Sequence, residues 1–60
     1  MATVNYIPHS KIEKIYITIG NLLAVKTKDL DNKGDKIVYY SCYPAEITTD
    51  SLGIHGNFKL

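Results

Sequence analysis

Three side chains in this chain could bind a soft metal or form a nucleophile and base pair: His9, His55 and Cys42. None stands in a CxxC, HxxxH or HExxH spacing, so the sequence predicts no metal site. Ser10 follows His9 directly, but neighbouring residues do not face each other, and no acid is placed to orient the imidazole. Neither a G-x-S-x-G elbow nor a glycine-rich phosphate loop occurs. Cys42 reads as a small apolar core residue. The stretch "DLDNKGD", from Asp29 to Asp35, opens like a calcium loop, with Asp29, Asp31 and Gly34 in place. Lys33 then falls at a ligand position, and Tyr40 stands where the bidentate glutamate belongs. A polar hairpin turn is the better reading. The expectation is a non-enzymatic protein with no catalytic residue, no cofactor and no metal, because so short a chain rarely preorganises a site.

What the chain offers in place of catalysis is tyrosine and lysine. It has five Tyr, and its seven cations, all lysines, face six acids, for a formal net charge of +1. Aromatic rings interleaved with amines can stack bases and neutralise phosphates on single-stranded nucleic acid. The near-balanced charge and the lack of arginine weigh against that use. Tyrosine is also enriched at protein–protein interfaces.

The positions of these residues depend on the strands that carry them. In "IEKIYITI", residues 12–19, Ile15, Ile17 and Ile19 alternate with Tyr16 and Thr18, the period of a strand. Ser10 and Glu13 compete as a helix capping box. The β-branched residues and the Gly20-Asn21 break favour the strand. A three-residue loop, Gly20 to Leu22, would pair Ile19 with Leu23, Ile17 with Val25 and Ile15 with Thr27, placing the apolar residues on one face. "LAVKTK" follows as the second strand and "KIVYYSCY", Lys36 to Tyr43, as the third. With Lys28 opposite Asp35, Val25 meets Val38 and Leu23 meets Tyr40. Val38, Tyr40 and Cys42 then face the core, and Ile37, Tyr39, Ser41 and Tyr43 face outward. Pro44 ends the third strand. A short turn and a brief extended piece near Ile47 to Thr49 come next. Leu52, Ile54, Phe58 and Leu60 alternate with polar or small residues as a terminal strand, and "TVNYI" reads as one more strand ending at Pro8.

The fold expected is all-β: one domain over residues 1–60, a small curved antiparallel meander or half-open barrel of four to five short strands. At the level of architecture this resembles SH3 or Sm-like barrels, which host unrelated functions. A chain of 60 residues has a marginal core and normally needs a staple. With a single cysteine and no metal spacing, that staple is expected to be a partner or a second copy. No stretch is apolar enough to span a membrane and no signal peptide is evident, so the chain is expected to be a complete small cytoplasmic protein. The expected function is a protein-interaction module (a regulator, inhibitor or assembly subunit) that self-associates through an outer sheet face. The residues assigned to that face are Lys14, Tyr16, Lys26, Lys28, Ile37, Tyr39 and Tyr43. The alternative is nucleic-acid binding through the same tyrosines and lysines.

Overall fold

The computed structural model describes residues 3–60. They form one antiparallel sheet of six strands: β1 (Thr3–Pro8), β2 (Ile12–Ile17), β3 (Leu23–Leu30), β4 (Lys36–Tyr40), β5 (Thr48–Thr49) and β6 (Gly53–Lys59). Single 3-10 turns occupy His9–Lys11 and Pro44–Glu46. The strand order is β1-β6-β4-β3-β2, with β5 beside β6, so the sheet curves without closing. The all-β expectation holds. Residues 12–17 are strand, and the Ser10–Glu13 capping signal yields only the short turn before it.

The two hairpins of the β2-β3-β4 meander share one turn geometry. At the first, the Thr18 amide donates to the Leu22 carbonyl at 2.9 Å and the Asn21 amide to the Thr18 carbonyl at 3.0 Å. The loop is therefore Ile19 to Asn21, with Asn21 left-handed at φ 62°. The second repeats the pattern: Asp31 N–H to Asp35 C=O at 2.8 Å, Gly34 N–H to Asp31 C=O at 3.1 Å, and Gly34 at φ 87°. Both are three-residue loops that close a turn with a left-handed final residue. Asp31 secures the second, its Oδ1 accepting the amides of Lys33 at 2.8 Å and Asp35 at 2.9 Å.

This chemistry corrects the expected registers. A loop of Gly20 to Leu22 would force Leu22 into the left-handed region, where an asparagine is tolerated far better. The loop moves back one residue, and Ile17 pairs with Leu23, Ile15 with Val25 and Lys14 with Lys26. That is a slip of two positions, which keeps the faces and pushes Ile19 out to the loop tip. The β3–β4 register differs from expectation by an odd number: Ala24 pairs with Tyr40, Val25 with Tyr39 and Lys26 with Val38. An odd slip exchanges faces. Tyr39 therefore packs against the core cluster beside Val25, while Val38 and Tyr40 face the other way. β3 also carries an irregular stretch between Lys26 and Leu30, where the buried Thr27 hydroxyl donates to the Ile37 carbonyl at 2.9 Å.

The remaining strands, β1, β6 and β5, form the other half of the sheet, joined to the meander through one rung, Tyr40 to Lys59. Ile7, Val25, Ile54 and Phe58 are buried between the two halves, with Val4, Ile12, Tyr39 and Ile47 packed around them. Of the four apolar residues expected to line the last strand, Ile54 and Phe58 enter the core, and Leu52 and Leu60 stay exposed. The β1–β6 ladder shifts where Asn5 faces Gly56 and Asn57, a bulge that bends β6 around the core. A Cβ on Gly53 would collide with the Ile7 carbonyl oxygen and lie 2.7 Å from Pro8 Cα. Gly53 thus permits the backbone contact that closes β1 onto β6.

Asp50 staples the β5–β6 turn to the end of β1. Its Oδ1 accepts the amides of Leu52 and Gly53, both at 2.8 Å, and its Oδ2 accepts His55 Nε2–H at 2.8 Å. His9 Nε2–H donates to the Asp50 carbonyl at 3.0 Å, and the His9 amide donates to the Leu52 carbonyl at 2.9 Å. Tyr6 stacks on His55, with ring centroids 4.5 Å apart. The hydrogen bond from His55, then those from the Gly53 and Leu52 amides, hold the Asp50 carboxyl below its usual value of 3.8.

Two outcomes are expected. Gly53→Ala should cost about 1–3 kcal/mol, the range for overpacking a rigid contact. Gly56→Ala should cost less, because a Cβ there meets only the side chains of Ile47 and Phe58; urea midpoints of the two variants give the comparison. A carboxyl with a depressed folded-state pKa stabilises above its unfolded value and loses that contribution as pH falls through the folded value. The difference in melting temperature between wild type and Asp50→Ala should therefore be open above pH 3.8 and close progressively below it.

Candidate functional site

Directly opposed residues in an antiparallel ladder share a face, so the pairings sort the meander into two surfaces. One carries the row Tyr16, Ala24, Tyr40 and Lys59 and the row Lys14, Lys26 and Val38. Tyr16 and Tyr40 stand either side of the fully buried Ala24. The Lys14 ammonium lies 5.8 Å from the centre of the Tyr16 ring. Glu13, at the irregularity in β2, reaches Lys36 at 3.2 Å and Lys26 at 3.8 Å. It offsets the repulsion of the opposed lysines, which are Lys14 and Lys26 rather than the expected Lys14 and Lys28.

The other surface faces the core but outruns it. Ile15 sits next to Val25 and Ile17 next to Leu23. Yet Ile15 is 44% exposed and Ile17 54% exposed, because β1 and β6 do not extend over this end of the sheet. Ile19, at the loop tip, is fully exposed. With Tyr16, 36% exposed on the opposite face, four large apolar side chains lie uncovered within the five residues 15–19, at the end of one edge strand and in the loop after it. The backbone of that strand is also open. The Thr18 amide bonds to Leu22 and the Ser41 amide to the Leu23 carbonyl. This phase directs Lys14 and Tyr16 toward β3 and leaves the N–H and C=O groups of Ile15 and Ile17 pointing out of the sheet.

Of the seven residues expected to share a binding face, Lys14, Tyr16 and Lys26 are brought together. Lys28 lies in the irregular stretch of β3, with its carbonyl 3.3 Å from Lys36 Nζ. Ile37 is half-buried, Tyr39 belongs to the core periphery, and Tyr43 is exposed beyond the end of β4. Tyr40 and Lys59 take the place intended for Tyr39. Ile15, Ile17 and Ile19, assigned to the interior from their alternation, are the residues that reasoning missed. The left-handed preference of Asn21 was the signal that would have moved Ile19 to the loop tip. Nothing in the apolar period showed that Ile15 and Ile17 would stay uncovered on the core side.

Other chemistry is sparse. A cleft of about 160 Å³ opens between Tyr6 and Ile7 of β1 and Thr27 and Tyr39 across the open side, with the Lys11–Asp29 ion pair at 3.7 Å beside it. Small-molecule sites usually enclose about 300–1,000 Å³. Among the described residues, no three His, Cys, Asp or Glu side chains converge as metal ligands, and no helix is long and apolar enough to cross a membrane. The chain was compared with known protein families, characterised proteins and solved structures, and none matches.

Proposed function

We propose that this protein is a small interaction module that works by binding protein, its own copies included, through β2. The observation that carries this reading is the conjunction at one edge of unpaired backbone groups with exposed Ile15, Tyr16, Ile17 and Ile19. An edge of this kind is a template for another strand. The size of the core supports the same reading. Among the described residues only four large apolar side chains, Ile7, Val25, Ile54 and Phe58, are buried, and short chains gain stability by burying surface against a partner. Sedimentation velocity across about 1 µM to 1 mM, a range that brackets weak to moderate association, is expected to show concentration-dependent association. Ile15→Asp with Ile17→Asp should abolish it while leaving the β circular dichroism signal intact. A chain that stays monomeric throughout and binds no other protein through β2 overturns the reading.

A second reading is favoured by the Tyr16–Ala24–Tyr40–Lys59 row with Lys14 beside it. Two rings on one face, flanked by amines, suit base stacking and phosphate contact. Glu13 works against it by occupying Lys26 and Lys36. Fluorescence titration with a single-stranded oligonucleotide at low salt decides it. Binding that weakens steeply with salt and is lost in Tyr16→Ala supports this use of the face; no binding removes it.

A further inference from the structure

We infer that the partner of β2 is the β2 strand of a second copy, paired antiparallel about a two-fold axis that passes beside Tyr16. The inference rests on the interaction reading above and specifies its occupant and register. An occupant must be an extended strand, because only extended backbone matches the outward N–H and C=O groups of Ile15 and Ile17. The usable stretch of β2 is short. It is bounded on one side by the irregularity between Ile12 and Lys14 and on the other by the loop that starts at Ile19. The regular residues are therefore Lys14 to Thr18, and Tyr16 is their centre.

Antiparallel pairing of that stretch with itself satisfies every position at once. Ile15 meets the second copy's Ile17 and Ile17 meets its Ile15, both as hydrogen-bonded pairs, since these are the residues whose backbone groups face outward. The Tyr16 rings adjoin across the axis, and Lys14 faces the second copy's Thr18. The half-exposed isoleucines of both copies adjoin as one strip on the core side and pack sideways against each other across the new ladder. Moving the axis to Lys14 would set that lysine against itself, which is destabilising. An axis at Ile15 would draw the irregularity at Glu13 into the ladder, and one at Ile17 would need the loop residues Ile19 and Gly20 as strand. Two-fold pairing also closes on itself, whereas β2 laid on the β1 edge of another copy would add copies without limit.

The register can be read by cross-linking. Across the axis Tyr16 faces its own copy as a non-hydrogen-bonded pair, with Cα atoms about 4.5 Å apart, within reach of a disulfide. In a Cys42→Ser background, Tyr16→Cys is expected to give a disulfide dimer under mild oxidation. Lys14→Cys alone and Thr18→Cys alone should not, but an equimolar mixture of those two should form a heterodimer. A chemically synthesised chain with the Ile17 amide N-methylated keeps every side chain and every bond to β3. It should lower association at least tenfold in sedimentation. Association that persists with cross-linking at another position, or species growing beyond the dimer, overturns this register while the interaction reading survives. No association at any concentration, in a chain that binds another protein through β2, removes the second copy as occupant and leaves only binding of other proteins.

Discussion

Two residues with left-handed backbone, Asn21 at φ 62° and Gly34 at φ 87°, decide how this chain is arranged. Each ends a three-residue hairpin loop, and the strands on both sides must align with it. From Asn21 it follows that Ile17 stands opposite Leu23, so Ile15 and Ile17 lie on the core side of the outermost strand. From Gly34 it follows that β3 runs on to Leu30 before turning. The surplus residues of β3 are absorbed between Lys26 and Leu30, where the Thr27 hydroxyl bonds to the Ile37 carbonyl. The result is that Tyr39 turns inward and Tyr40 outward. Two small backbone preferences thereby assign every large side chain of the meander to a surface.

Once those assignments are made, the supply of covering surface runs short. The β1-β6-β5 half contributes Ile7, Ile54 and Phe58 to the core, enough to bury Val25 but not to reach past it. It is held close by the Gly53 contact with β1 and by the Asp50 staple to His9 and His55. These contacts all lie within that half, and its one rung to the meander, Tyr40 to Lys59, joins it to β4 rather than to β2. The cover it supplies therefore ends short of the β2 edge, where Ile15 and Ile17 stay half-exposed.

The alternating apolar residues made the strands legible. Ile12 to Ile17, the run after Leu23, the run after Lys36 and the Ile54/Phe58 strand all stand near where their period placed them. Registers were harder, because face matching alone assumes that all apolar residues must go inside. That assumption placed Ile19 opposite Leu23 and Tyr40 in the core. In fact Ile19 is a loop tip, and Ala24 is buried between Tyr16 and Tyr40 on the opposite face. The Lys14, Tyr16 and Lys26 cluster survived the first error, because a slip of two preserves faces. Tyr39 did not survive the second, because an odd slip reverses them. Turn chemistry carried the information that the hydrophobic pattern lacked.

The β1 and β2 edges of the sheet differ in how they are defended. β1 ends at Pro8, which has no N–H to offer, and faces a bulge midway along its pairing with β6. Both features discourage a further strand. β2 has its irregularity only at its start, and its regular part contains neither proline nor an inward charge. Its one lysine, Lys14, lies over Tyr16 on the outer face and does not cover the isoleucines. Glu13, which would otherwise blunt the edge with charge, is held by Lys26 and Lys36 on the sheet face. Every device available for closing an edge is thus spent elsewhere or faces the other way. A strand with two isoleucines displayed beside their own outward-facing amides is the feature on which the proposed pairing rests, and under that proposal the extent of its regular stretch sets the register.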